Sequence, residues 1–306
     1  MTENWITLRP IRSTLKEGDF FDTPRRLSDR LTVKMIPDFI KDPSTLKMYT
    51  DKVVTGITTA RLAICAEYSA EALGSQDPDG PEGTGIHQNI ANDLILLPLA
   101  FWISGTPLIV ANEILHVRRE AESGILRQLV SENPIFIRQD EGNLVMTEEK
   151  FNESILLFEA LKSLPPKGNS RLAMWSTYRA IREDQWALRF LMFWLSLEGL
   201  FGPADGKEIC HRLSQRIAYF LEETKEKALT RFQSVKSGYG WRSKIVHGMR
   251  LEKLKPEKSA ELMKELEDNV RCCLKKVLLH SNREQFDKKD RETFLETLAF
   301  EDWRNH

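Results

Sequence analysis

The stretch Gly238-Tyr239-Gly240-Trp241-Arg242-Ser243-Lys244-Ile245-Val246-His247-Gly248 decides how the rest of this 306-residue chain is read. As a short helix it puts Ser243 and His247, four apart, on one face. Arg242 sits at the edge of that face, with a side chain long enough to reach back to it. Gly248 supplies a stop, and Gly238 and Gly240 loosen the entrance. An imidazole, a guanidinium and a hydroxyl are thereby gathered on one turn. Such a set suits RNA cleavage without a metal. A neutral histidine takes the proton of a ribose 2′-hydroxyl, and that oxygen attacks the adjacent phosphate. A planar arginine holds the charge developing on the phosphoryl oxygens. The expected products are a 2′,3′-cyclic phosphate and a 5′-hydroxyl, and DNA is inert because it lacks the attacking group.

Around this stretch the pattern is helical. Residues 184–201 (DQWALRFLMFWLSLEGLF) are apolar nearly all round, as expected of a helix buried in a core or at a subunit interface. A small bundle cannot cover every such face, so a two-fold homodimer is expected. A second helix spans about 207–221, with Ile209, Leu213, Ile217 and Phe220 along one face, and a basic amphipathic helix covers 225–237. The last long helix, about 257–279, carries Leu262, Leu266, Val270, Cys273 and Val277 as a sustained stripe. Four principal helices with short connections predict a bundle. Between Lys225 and Lys255 nine basic residues face only Glu226 and Glu252, in a chain of net charge -1. A basic stripe beside the motif is what a phosphate backbone requires, whereas a merely solvated face mixes its signs. Lys236, Lys244, Arg231 and Arg250 are the candidate phosphate contacts, and Tyr239 is a candidate base-stacking ring. Trp241 is open to either stacking or packing. His211, beside Arg212 and Arg216, either extends that surface or is an ordinary surface histidine.

The order of these features resembles the HEPN family, most closely its Apea-like group from prokaryotic defence proteins. Arg242, Ser243 and His247 match its R-x(4–6)-H signature, with four residues between Arg and His. Glu198, in Trp194-Leu195-Ser196-Leu197-Glu198-Gly199-Leu200-Phe201, matches the acidic residue that holds the arginine from an earlier helix. The resemblance covers roughly residues 184–280. It implies an all-α bundle, a dimer that brings two motifs together, and a ribonuclease acting in defence or as a toxin, with an antitoxin or other regulatory partner. It implies RNA as the partner molecule and no cofactor. Arg242, His247, Ser243 and Glu198 are then the catalytic set. An inactive HEPN scaffold that binds RNA or only dimerises, coupled to an N-terminal sensor region, is the other reading. Plainer roles are open too: a structural histidine at a helix C-terminus, and an Arg242–Glu198 staple between helices.

The expected fold class is mainly α, with a mixed α+β accessory region over 1–165, the bundle over 166–282 and a tail over 283–306. Residues 44–73 read as helix, and 74–85 as a Gly/Pro/Asp-rich loop. The uncharged run Leu94–Asn112 reads as two short buried strands about a turn at Ser104-Gly105-Thr106-Pro107, rather than as a membrane span. A hairpin is expected over 134–146. Thr147 is a plausible cap for a helix ending at Pro165-Pro166. Charged residues at 29% and hydrophobic residues at 41% are ordinary for a soluble chain. Cys65, Cys210, Cys272 and Cys273 form no C-x-x-C pair and read as buried reduced thiols. Without an apolar leader in the first residues, the expectation is a cytoplasmic protein with no membrane partner. His87 and His116 lack metal-ligand spacing.

Overall fold

Strand β1 (Asn4–Ile11) forms because Ile6 and Leu8 alternate with Thr7 and Arg9, so that its two faces differ. It lies inside an antiparallel sheet with β2 (Arg25–Arg26), β3 (Thr32–Met35), and, after short helices α1 (Asp38–Lys41), α2 (Pro43–Leu46) and α3 (Asp51–Thr58), with β4 (Leu62–Ser69). Helix α4 (Gly85–Ile103) precedes β5 (Glu113–Glu120) and β6 (Ser123–Ser131), and the sheet order is β2-β3-β4-β1-β5-β6. Leu8 stands opposite Cys65 on β4 and Leu115 on β5. These three side chains join Ile6, Ile40, Leu46 and Ile57 in one buried cluster, so α1–α3 cover that face.

The chain is mainly helical, with this small antiparallel sheet among the described residues. The computed structural model describes residues 4–11, 19–21, 23–46, 51–69, 85–105, 110–120, 123–131, 134–135, 146–248 and 254–298. It divides into two units, 1–158 and 159–306. The division falls inside α5 (Glu148–Lys162), a few residues before the expected break at Pro165-Pro166. Lys150 N donates to Thr147 Oγ1 at 3.2 Å, so Thr147 caps α5 as its position suggests.

Two expectations for the first unit are corrected. Residues 62–69 are strand β4, not the end of a helix. Ala63, Ile64, Cys65 and Ala66 are all buried, so no polar alternation marks the strand, and pairing with β1 and β3 overrides the helix propensity of its alanines. Residues 94–103 are helix, not strand, despite Pro98. Proline cannot donate to the carbonyl four residues back, which here is Leu94. The buried Arg9 supplies the missing donor: its Nη1 gives a hydrogen bond to Leu94 O at 3.0 Å, and its Nε one to Ala111 O at 2.8 Å. The turn at Ser104-Gly105 is present, with Gly105 at φ +80°. The loop over 74–84 and nearly all of the hairpin expected over 134–146 lie outside the described residues. Among the described residues, no helix is long and apolar enough to cross a membrane.

The second unit holds α6 (Asn169–Ala180), α7 (Trp186–Phe201), α8 (Ile209–Leu221), α9 (Lys225–Val246), α10 (Pro256–Leu279) and α11 (Arg291–Thr297). Helix α7 is central and touches α6, α8, α9 and α10. Its Phe190, Phe193, Trp194 and Leu197 are buried, as are Leu213, Ile217 and Phe220 of α8 and the whole expected stripe of α10. The segment expected as a tail is part of this core through residue 298. Phe286, in the 3-10 turn Arg283–Asp287, stacks edge-on against Phe201 and Phe220. Arg291 of α11 donates to the carbonyls of Gly199, Leu200 and Gly202, each at 2.9 Å, satisfying the open end of α7.

The separate basic helix and motif helix of the sequence reading are one helix, α9, unbroken through Gly238 and Gly240. The reason is packing: a Cβ on Gly238 would lie 3.1 Å from Trp194 Cζ2. Glycine therefore lets α9 close on α7 rather than opening a joint. Gly248, at φ +81°, ends the helix as expected.

Candidate functional site

At 100° per residue, Tyr239 and Arg242 share the face of α9 turned to α7. Arg242 Nη2 donates to Glu198 Oε2 at 3.2 Å. Its Nε lies 2.9 Å from Oε1, an ion-pair distance, but the N–H is not aimed at that oxygen, and neither atom gains a hydrogen bond. The expected Arg242–Glu198 contact is present, with both groups partly shielded from water. Tyr239 completes it. Burial, followed by the charge of Glu198, pushes the Tyr239 phenol up to about 12. Its ring stands edge-on to Trp194, centroids 5.3 Å apart, with the Arg242 guanidinium 5.4 Å from its centre. At 8% exposure Tyr239 cannot serve as the base-stacking ring expected of it. It is part of the scaffold that holds the arginine.

His247 is the exposed C-cap residue of α9; its N–H donates to Ser243 O at 3.1 Å. Among the described residues its imidazole makes no hydrogen bond or ion pair. Ser243, half-buried, shares its face as the spacing of four requires. Arg242 does not join them. Five residues of helix place it about 140° round the axis from His247. One chain therefore brings together Glu198, Tyr239 and Arg242 on one side and Ser243 with His247 on another.

The basic stripe is sorted in the same way. Arg231 is tied to Glu222, Nε to Oε1 at 2.8 Å, and to Asn269 Oδ1 at 2.8 Å, so it is not a spare phosphate contact. With Lys227 it lines a hollow that also contains Glu222, Glu226 and Glu265, a mixed-charge surface. Lys236 and Lys244 are exposed. Lys236 Nζ sits 5.5 Å above the Phe232 ring and Lys244 Nζ 4.4 Å above that of Trp241, which makes Trp241 a platform for the lysine. Arg250 lies outside the described residues. Arg212 and Arg216 are both paired with Glu292 from α11, so they do not extend a phosphate surface beside His211. Sequence reasoning could not see this, because Glu292 lies about eighty residues away.

Other reactive groups are quiet. All four cysteines are free, but only Cys65 and Cys273 are buried as expected; Cys210 is half-buried and Cys272 exposed. Burial pushes the Cys65 thiol up to about 12 and that of Cys273 well above its usual range, which makes them poor nucleophiles. His116 is buried in the sheet with Nδ1 2.7 Å from Thr7 Oγ1, and the Tyr68 hydroxyl is 2.7 Å from the same oxygen. The side chain of His87 lies outside the described residues. Comparisons with family models, curated proteins and solved structures find no match to this chain.

Proposed function

We propose that this chain is a HEPN-type, metal-independent endoribonuclease of the kind used in prokaryotic defence or as a toxin. The observation that carries this reading is a guanidinium held against Glu198 on the same helix that ends in an unengaged, exposed imidazole. His247 serves as the base for the 2′-hydroxyl, Arg242 supports charge on the phosphate, and Ser243 lies beside His247 as a polar neighbour. Glu198 and Tyr239 position Arg242.

A site of this kind is incomplete in one chain, since Arg242 and His247 diverge around α9. The reading therefore includes a second copy. Support comes from Leu172 and Trp175 on α6 with Leu188 and Leu195 on α7, all large, apolar and at least 40% exposed. A self-complementary two-fold contact is the commonest way to cover such a surface. The same divergence favours the second reading, a HEPN scaffold that dimerises without cleaving.

The test is RNA cleavage by wild type and His247→Ala prepared in parallel. Loss of a general base is expected to slow cleavage by about 10²–10⁴-fold. Cleavage should persist in excess chelator, fail on a 2′-deoxy substrate, and accompany a dimer in light scattering. Equal RNA degradation by the two proteins, or activity lost only with chelator, leaves the scaffold reading in its place.

A further inference from the structure

The face of α9 that bears His247 does not stop at the motif. Ser243, Gly240, Lys236, Phe232 and Leu229 recur at intervals of three and four residues behind it, within an arc of about 80°. Lys225 continues the row at the helix N-terminus. Near that end α8 and α9 enclose a groove of about 320 Å³. Its apolar part is made by Ala218, Leu229 and Phe232, and its polar edge by His211, Gln215 and Lys225. No carboxylate lines it. Leu229 is 56% exposed, an apolar side chain without cover among the described residues. The His211 ring stands edge-on to Phe232 at 5.3 Å, and the Lys236 ammonium lies over the same ring. Between Lys236 and Ser243 the helix presents Gly240, beside which a Cβ would meet nothing within 4 Å, so the path to His247 is unobstructed.

We infer that this groove seats a nucleobase of single-stranded RNA whose backbone follows the outer face of α9 to His247. The inference rests on the ribonuclease reading for the identity of the strand. An apolar floor with an aromatic ring takes a base without regard to sequence, and cations on the rim take the flanking phosphates. Phe232 and His247 are separated by about 22 Å along the helix, a span for a short run of extended nucleotides. A paired base cannot enter the groove, so the subsite selects unpaired strands. A peptide would find the floor equally apolar, but it would have no use for three basic side chains on the rim.

The experiment is equilibrium binding of a fluorescent single strand of about eight nucleotides, with 2′-deoxy sugars so that cleavage cannot intervene. Phe232→Ala should weaken binding about tenfold, the usual weight of one stacked base. Lys236→Glu, at an exposed position where folding is not at risk, should do the same and lower the salt dependence by about one counterion or more. A 2-aminopurine moved along the strand should be quenched at one position by wild type and not by Phe232→Ala. Unchanged affinity in both variants overturns the inference, and unchanged affinity with altered self-association makes the groove a protein contact instead. The two readings separate cleanly. If His247→Ala cannot cleave but the groove variants bind normally, only the groove inference falls. If His247→Ala cleaves like wild type but the groove variants lose the strand, the groove stands and the ribonuclease reading falls.

Discussion

The inner and outer faces of α9, with its C-cap His247, are built from one short run of chain to opposite ends. The inner face is closed by α7: Gly238 lies against Trp194, Tyr239 is buried on it, and Arg242 is held by Glu198. The outer face, from Leu229 to His247, holds side chains with little to do in the fold. In the proposed ribonuclease, the groups to be positioned are the ones locked by packing, and the groups to meet RNA are the ones left out of it. Substitutions should therefore sort by face, with stability lost on one side and binding or turnover on the other.

The largest effect should come from Trp194→Ala. The indole is 1% exposed, and truncating a buried tryptophan costs about 3–5 kcal/mol. A urea midpoint close to wild type would show that the inner face is not packed as described.

Tyr239→Phe is a smaller change on the same face. It removes a phenol hydroxyl beside a partly buried carboxylate and should cost about 1 kcal/mol at neutral pH. It also carries a signature in pH. The folded phenol titrates near 12, above its unfolded value of about 10, so its contribution is complete below pH 10 and is lost as pH rises from there to about 12. Tyr239→Phe should flatten part of the alkaline fall in stability. The remainder is shared by Tyr68, which burial pushes up to about 12 as well, and by the buried thiols of Cys65 and Cys273, which burial also raises. An alkaline profile parallel to wild type would remove Tyr239 from the Glu198 cluster.

The smallest effect belongs to the outer face. Ser243→Ala should move the midpoint of unfolding by no more than about 0.5 kcal/mol, as surface substitutions usually do. A loss of several times that size would erase the distinction between the faces.

Local rules made parts of this fold and site readable in the chain. The stripe Leu262 to Val277 is long and regular, and all of it is buried. Thr147 and Gly248 mark helix ends through chemistry confined to a few residues. Glu198 stood out as a carboxylate in an apolar helix, and the need of a half-buried guanidinium for a partner pointed Arg242 at it. Pairings across many residues were not readable. Nothing near Leu94 announces that Arg9 will satisfy its carbonyl, so Pro98 looked like a break. Nothing near Arg231 announces Asn269, and nothing near Arg212 announces Glu292, so both cations looked free.

By itself the sequence determined helices α7, α8 and α10 of the second unit, their apolar faces, and the candidacy of Arg242, Ser243, His247 and Glu198, because periodicity, capping and the cost of an unpaired charge act over one or two turns. Only the tertiary structure decided that α9 is one helix, that Tyr239 faces inward, that β4 is a strand, and which lysines remain outside. Those outcomes depend on which surfaces meet: a glycine is a hinge in isolation and a close-packing point against Trp194, and a tyrosine is a stacking ring for a base or a buried packing ring according to what covers it.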